Sequence, residues 1–223
     1  MRSASSHSAS RAITPIRADA LVMVFARAPV AGRVKTRLAP RLGAAGAARL
    51  HMQLVENAVH AAREARCGPV ELHVTASHGL LRSLQVKVKR QRGRDLGERM
   101  CYALRNALRG HRGAIVIGAD VPALTPADLR RAARLLEGSA DVVLAPAEDG
   151  GYALIGARRI SLRIFSDVHW GSADVLSQTL RNLAAAGLRY RLLRTVWDVD
   201  RPEDLARLKA RPLSSASRRR ARR

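Results

Sequence analysis

The stretch AIVIGADVPALTPADLRRAARLL, residues 114–136, decides how the whole chain is read. Residues 114–118 form a short run with no polar side chain, as expected of a strand buried on both faces. Thr125, Pro126 and Asp128 then supply an N-cap, a first-turn proline and an early acid, so a helix begins at Pro126. Asp120 lies between the two, just past the end of the strand and too early to cap the helix. A carboxylate in that place is either a turn former or an oxygen ligand for a divalent cation.

The same strand-then-helix rhythm continues outward in both directions. Short apolar runs at 21–26, 70–76, 85–88, 142–146 and 188–196 read as further strands. Apolar residues at helical spacing mark 46–66, 96–108, 126–136 and 174–186 as helices, the first through Leu50, Leu54, Val55, Ala58, Val59 and Ala62. Alternating strands and helices predict an α/β domain, three layers deep, with a mostly parallel central sheet. In such a Rossmann-like sheet the ligand crevice lies beyond the carboxyl ends of the strands.

The chain has 223 residues, of which 47% are hydrophobic but only 3% aromatic, so the core is built from Ala, Leu and Val. Lys and Arg number 40 against 18 Asp and Glu, a net charge of +22 that favours anionic partners. The Ser- and Arg-rich ends, residues 1–19 and 211–223, read as disordered basic tails around one folded unit at 20–210, which itself keeps a net +14. The N-terminal segment also has the composition of an organellar transit peptide. The two cysteines, Cys67 and Cys101, form neither a disulfide framework nor a metal spacing, which suits a reducing compartment and a cytoplasmic location. The longest apolar run, residues 20–26, is far short of a membrane span.

Three loops after strands concentrate polar chemistry. The first carries Arg27, Gly32, Arg33, Lys35, Thr36 and Arg37; if extended, it points Arg33, Lys35 and Arg37 to one side as a phosphate clamp. It is not a P-loop, because the glycine spacing is wrong, and a solvated basic loop is the competing reading. The second holds Asp120. The third, Glu148, Asp149, Gly150, Gly151 and Tyr152, places two carboxylates beside paired glycines, a pattern that also marks a hairpin turn. Farther on, Asp198 and Asp200 stand at i and i+2, on one face of an extended chain, where they could complete a hard-cation site or cap a helix starting near Pro202.

In sequence order these elements resemble one family over about residues 21–209. The carrying segments are FARAPVAGRVKTRL at 25–38, DLGERM at 95–100, GADVPALT at 118–125, DGGYALIG at 149–156, VHWGS at 168–172 and DVDRPEDL at 198–205. The chain is similar to the glycosyltransferase-A-like family linked to arsenosugar biosynthesis and to radical-SAM/selenodomain-associated transferases. The resemblance implies the nucleotide-diphospho-sugar transferase fold, a nucleotide-sugar donor and a small-molecule acceptor. It implies donor-phosphate contacts from Lys35 and Arg37, with Arg27, Gly32, Arg33 and Thr36 in the same loop. It also implies a divalent cation, Mg2+ or Mn2+, on Asp120 with Asp200 or Asp198. Asp149 is then the first general base and Glu148 the second, while Gly150, Gly151, Tyr152, His169 and Trp170 face the sugar or acceptor. The chain departs from the pattern at Arg27, Ala123, Ser172 and Arg201, where Lys, an acid, Thr and Thr are expected.

The function expected is therefore metal-dependent glycosyl transfer. Nucleotidyl transfer to a phosphorylated acceptor needs the same cations and acid. A basic nucleic-acid-binding module is the reading from another class, and the Arg-rich tail would then give weak, nonspecific binding that falls with salt. Few aromatics and no recognition motif weigh against it as the main role.

Overall fold

The computed structural model describes residues 19–210 and Leu213. The expected tails at 1–19 and 211–223 lie outside these residues, apart from Asp19 and Leu213. Asp19 is tied into the fold: its carbonyl accepts from Gly113 N at 3.3 Å, and its carboxylate faces His111 and Arg112.

Seven strands form one sheet, in the order β3-β2-β1-β4-β6-β5-β7. They are β1 (Ala20–Ala26), β2 (Val70–Val74), β3 (Lys87–Arg90), β4 (Gly113–Gly118), β5 (Val142–Pro146), β6 (Tyr152–Ala157) and β7 (Tyr190–Leu192). Every pairing is parallel except those of β6, which runs against both β4 and β5. The helices are α1 (Ala39–Ala65), α2 (Leu96–Ala107), α3 (Pro126–Glu137), α4 (Val175–Ala185) and α5 (Asp204–Ala210). The expected three-layer α/β architecture with a mostly parallel sheet is present.

Strand β6 departs from the sequence reading. Its run Tyr-Ala-Leu-Ile-Gly-Ala is apolar throughout, and the Asp149-Gly150 signal before it is a hairpin turn joining it to β5. The hairpin slots β6 between β4 and β5 and reverses one strand in the sheet's middle. The last run, expected over 188–196, pairs as a strand only at Tyr190–Leu192 and returns to the sheet through an isolated Ala147–Val196 bridge.

Strand β4 is central because both its faces are apolar. Ile115 and Ile117 enter the core under α1 and α3, whereas Ala114 and Val116 enter the core under α2 and the 3-10 turn Leu162–Phe165. Helix α3 starts where expected: the Thr125 side chain accepts from Asp128 N, and the Asp128 carboxylate accepts from Thr125 N at 2.9 Å. Helix α1 is interrupted at Gly43, whose φ of 69° only glycine adopts freely. No helix among the described residues is long and apolar enough to cross a membrane.

One buried charge anchors the edge strand β7. The Asp141 side chain is 3% exposed and accepts from Arg158 Nε at 3.0 Å and from Arg189 N and Nε at 3.1 and 3.2 Å. Hydrogen bonds from Arg189, joined by those of Arg158, hold its carboxyl far below the usual carboxylate range, against the opposing effect of burial. A carboxyl depressed by folding adds stability above its ordinary range near 4, and that contribution is lost as pH falls further. Asp141→Asn is therefore expected to lose about 2–3 kcal/mol at pH 7. Urea titrations of both chains should show the difference narrowing below about pH 4; a pH-independent difference contradicts this role.

Candidate active site

The sheet's topology brings four loops to one end. Strands β1, β4, β5 and β7 run the same way, so the loops after them, bearing Lys35, Asp120, Asp149 and Asp198 with Asp200, all leave at the carboxyl ends. Backbone bonds stitch them together: Ala119 N donates to Phe25 O at 3.0 Å, Val199 N to Asp120 O at 2.9 Å and Glu148 N to Val196 O at 3.0 Å.

The first loop is not extended. Gly32 has φ 77° and Lys35 has φ 47°, both left-handed, and Thr36–Leu38 closes into a 3-10 turn. A left-handed lysine costs about 1–2 kcal/mol, and the turn separates cations that an extended chain would align. The Lys35 side chain is 6% exposed and turns inward, while Arg37, Arg33 and Arg27 remain at the surface. Lys35 Nζ donates to Asp120 Oδ2 at 3.0 Å and lies 3.9 Å from Asp200 Oδ1. Arg37 Nη1 donates to Asp200 Oδ2. The expected phosphate cations and the expected metal carboxylates are thus paired with each other.

The acids differ sharply in charge preference. Burial pushes the Asp120 carboxyl up, but the Lys35 charge and hydrogen bond outweigh it and hold the carboxyl below its ordinary value. Asp198 has no such partner: burial, then the neighbouring charges of Asp120 and Asp149, push its carboxyl up to about 6. Asp149 is exposed, and its Oδ1 accepts from Gly151 N at 2.9 Å. Gly150 is indispensable there, because at φ 87° an added Cβ would lie 2.1 Å from the Ala173 carbonyl oxygen.

Glu148 is engaged elsewhere. Its carboxylate accepts from Arg207 Nη1 and Nη2 at 2.7 and 2.9 Å, and Arg207 lies 4.6 Å above the Trp197 ring. That latch fastens α5 to the loop after β5. The pairing with Arg207 holds Glu148 below its ordinary range, a poor state for a base.

Two aromatics expected to face a sugar, Tyr152 and Trp170, are partly buried and pack against the core under α2. The Tyr152 hydroxyl is buried, its proton held by burial, and the ring meets Trp170 edge-on at 6.5 Å. Trp170 packs against Phe165 and lies so close to Gly97 that a Cβ there would sit 2.6 Å from the indole. An apolar setting with matching neighbours explains both. His169 is exposed, and its ring nitrogen Nδ1 lies 3.4 Å from Gln178 Nε2. Ala123 is buried, and its carbonyl accepts from Arg194, which also binds Asp128; an acid at 123 would enter the core.

Sequence reading missed His51. It is 5% exposed on the apolar face of α1, and its Nε2 contacts the Arg27 carbonyl at 3.0 Å, fixing where the basic loop leaves β1. Burial lowers its pKa and keeps the ring neutral. A histidine among Leu50, Leu54 and Val55 was the available signal.

Among the described residues no three His, Cys, Asp or Glu side chains are grouped as a metal site. The donors at hand are hard oxygens, however, and Mg2+ is commonly held by one or two carboxylates with substrate phosphates completing its shell. Asp120 and Asp200 fit that kind of half-site.

Comparison with known proteins bears on the fold. Residues 47–172 match a family described as uncharacterized proteins conserved in bacteria, DUF2064. No curated protein matches the chain. Among solved structures, a candidate nucleotide-diphospho-sugar transferase from Desulfovibrio desulfuricans G20 is 27% identical over 90% of this chain and 94% of its own, with a TM-score of 0.78. CMP:2-keto-3-deoxy-manno-octonic acid synthetase, solved with CTP, and 4-diphosphocytidyl-2C-methyl-D-erythritol synthase have TM-scores of 0.59 and 0.56. Each is 13% identical over 86% of this chain and 97% of its own, a likeness of fold alone.

The raised Asp198 carboxyl gives a test of the cluster. Because folding raises its pKa, its contribution is fully favourable below about pH 4 and fades as pH rises toward 6. Asp198→Asn should match the parent at pH 4 and exceed it by about 1–2 kcal/mol at pH 8. Urea titration at the two pH values checks this, and a variant weaker than the parent at pH 8 contradicts it.

Proposed function

The chain belongs to the DUF2064 family, and from the loops at the sheet's carboxyl end and the similarity to the Desulfovibrio protein we propose that it is a transferase moving a sugar from a nucleotide-diphosphate sugar to a small-molecule acceptor. The finer reading places it with the arsenosugar-linked, radical-SAM-associated members that its segments resemble. One observation carries the proposal: a buried lysine and a surface arginine meet two aspartates where the central strands end. That is where open α/β sheets take their ligands, and the similarity to the Desulfovibrio protein supports it.

In this reading Lys35 and Arg37 bind the donor's diphosphate, and Arg27 and Arg33, exposed in the same loop, add positive potential at its entrance. Fixed cations aimed at the leaving diphosphate lower the barrier as its charge grows. Asp149 takes the acceptor hydroxyl's proton; that oxygen bonds to the anomeric carbon as the bond from that carbon to the diphosphate oxygen breaks. Asp149 suits the task better than Glu148, which Arg207 holds. Asp120 and Asp200 would hold a Mg2+ or Mn2+ ion, which supplies charge neutralisation at the diphosphate when bound. Nucleotidyl transfer to a phosphorylated acceptor is the second reading, because it needs the same cations, Lys35 and Arg37, and the same acid, Asp120.

A thermal-shift panel of nucleotide sugars and nucleoside triphosphates, with Mg2+ or Mn2+ and with chelator, tests the assignment. A ligand at 100 times its dissociation constant adds about 2.7 kcal/mol, a shift of roughly 5–10 °C for a domain of this size. A metal-dependent shift with one nucleotide sugar is expected. Shifts with triphosphates alone would move the assignment to nucleotidyl transfer, and no shift with any nucleotide would refute both. Asp149→Asn should abolish transfer while donor binding survives, whereas Asp120→Asn should lose the metal-dependent part of donor binding. Unchanged turnover in Asp149→Asn removes that residue from the reaction.

A further inference from the structure

Lys35 Nζ, 3.0 Å from Asp120 and 3.9 Å from Asp200, stands in the gap between the two carboxylates that would hold a divalent cation. Bonds from Mg2+ to oxygen are about 2.0–2.1 Å, so an ion bridging these carboxylates takes the space the ammonium now fills. Repulsion between the two cations at such range adds to the steric conflict. Lys35 cannot simply lean away into water, for its side chain is 6% exposed and its backbone is held left-handed at φ 47°. Arg37 occupies Asp200 from the other side.

Charge counting points the same way. Among the paired groups, Asp120 and Asp200 balance Lys35 and Arg37, with Asp149 and Asp198 as further carboxylates beside them. A divalent ion entering alone would have to evict Lys35 from between its two carboxylates with no new partner to offer it. A nucleoside diphosphate ester entering alone would meet cations already engaged and two carboxylates beside them. Entering together, the two ligands cancel each other's charge and offer every displaced group a new partner.

We infer that Lys35 is the resident cation of this site in the free chain, and that nucleotide phosphates and divalent metal enter by an exchange of partners: the phosphates take Lys35 and Arg37, and the metal takes Asp120 and Asp200. The phosphate ligand's identity rests on the transferase reading; the exchange rests on the ion pairs. Metal and nucleotide then strengthen each other's binding by the same factor, since such coupling is reciprocal.

The experiment measures Mn2+ binding to the full chain by electron paramagnetic resonance at pH 7.5. It uses the metal alone and then the metal with UDP, CDP, ADP or GDP, corrected for chelation by the free nucleotide. The unmodified chain should bind Mn2+ alone weakly and at least tenfold more tightly with the matching nucleotide, within the usual span of coupling. Lys35→Met should bind Mn2+ alone at least tenfold more tightly than the unmodified chain, and Lys35→Met with Asp120→Asn should lose that gain. Lys35→Arg, which keeps the charge, should exclude Mn2+ as the parent does. Equal or weaker Mn2+ binding by Lys35→Met overturns the inference, as does an equal gain in Lys35→Arg. If Lys35→Met fails to fold by circular dichroism, the coupling in the unmodified chain decides: nucleotide binding that leaves Mn2+ affinity unchanged overturns the exchange. A chain that binds no nucleotide at any metal concentration refutes the transferase reading instead, and the metal-only comparison still reports on Lys35.

Discussion

The ion pair between the inward-turned Lys35 and Asp120, 3.0 Å apart, ties the basic loop after β1 to the acid that follows the central strand β4. Asp120 is fixed by the sheet: its carbonyl receives Val199 N and its neighbour Ala119 donates to Phe25. The basic loop has to adapt to it. Its left-handed residues at Gly32 and Lys35, the 3-10 turn after them and the anchor from His51 to the Arg27 carbonyl together bring an ammonium inward. Removing the cation would leave Asp120 and Asp149 beside Asp198, whose carboxyl is already raised by burial and then by those two charges.

The antiparallel strand β6 matters to this arrangement. By passing between β4 and β5 it spaces the Asp120 loop from the Asp149 loop, and its hairpin turn is the acidic glycine loop itself. Gly150 lets that turn press against Ala173, where no side chain fits. The C-terminal helix is then latched over the same end by Arg207, which reaches both Glu148 and Trp197. The positive charge is spread unevenly too: residues 87–112 hold nine Lys and Arg against two acids, along β3 and α2.

Local signals carried the architecture. The apolar run at 114–118, the N-cap at Thr125 and the helical spacing from Leu50 to Ala62 each depend on neighbours in sequence, and each appears where expected. The missed strand β6 had its signal in Asp149-Gly150, but an apolar hexamer after a turn does not announce which strands it will join. The expected clamp geometry failed because alternation assumes an extended chain, and two left-handed residues broke it. Tyr152 and Trp170 pack edge-on against each other, and Trp170 against Phe165, contacts that no spacing reveals. Glu148 likewise found Arg207 only through tertiary folding, as Asp128 found Arg194.

The most direct measurement uses the scarcity of lysine. The chain has four, Lys35, Lys87, Lys89 and Lys209, so an NMR spectrum of lysine side chains labelled at the ε position resolves the site cation from three others. The account predicts that a nucleotide sugar with Mg2+ moves the Lys35 signal and leaves the other three in place. A bound nucleotide that shifts Lys87 or Lys89 on the basic edge, while Lys35 stays still, would contradict it.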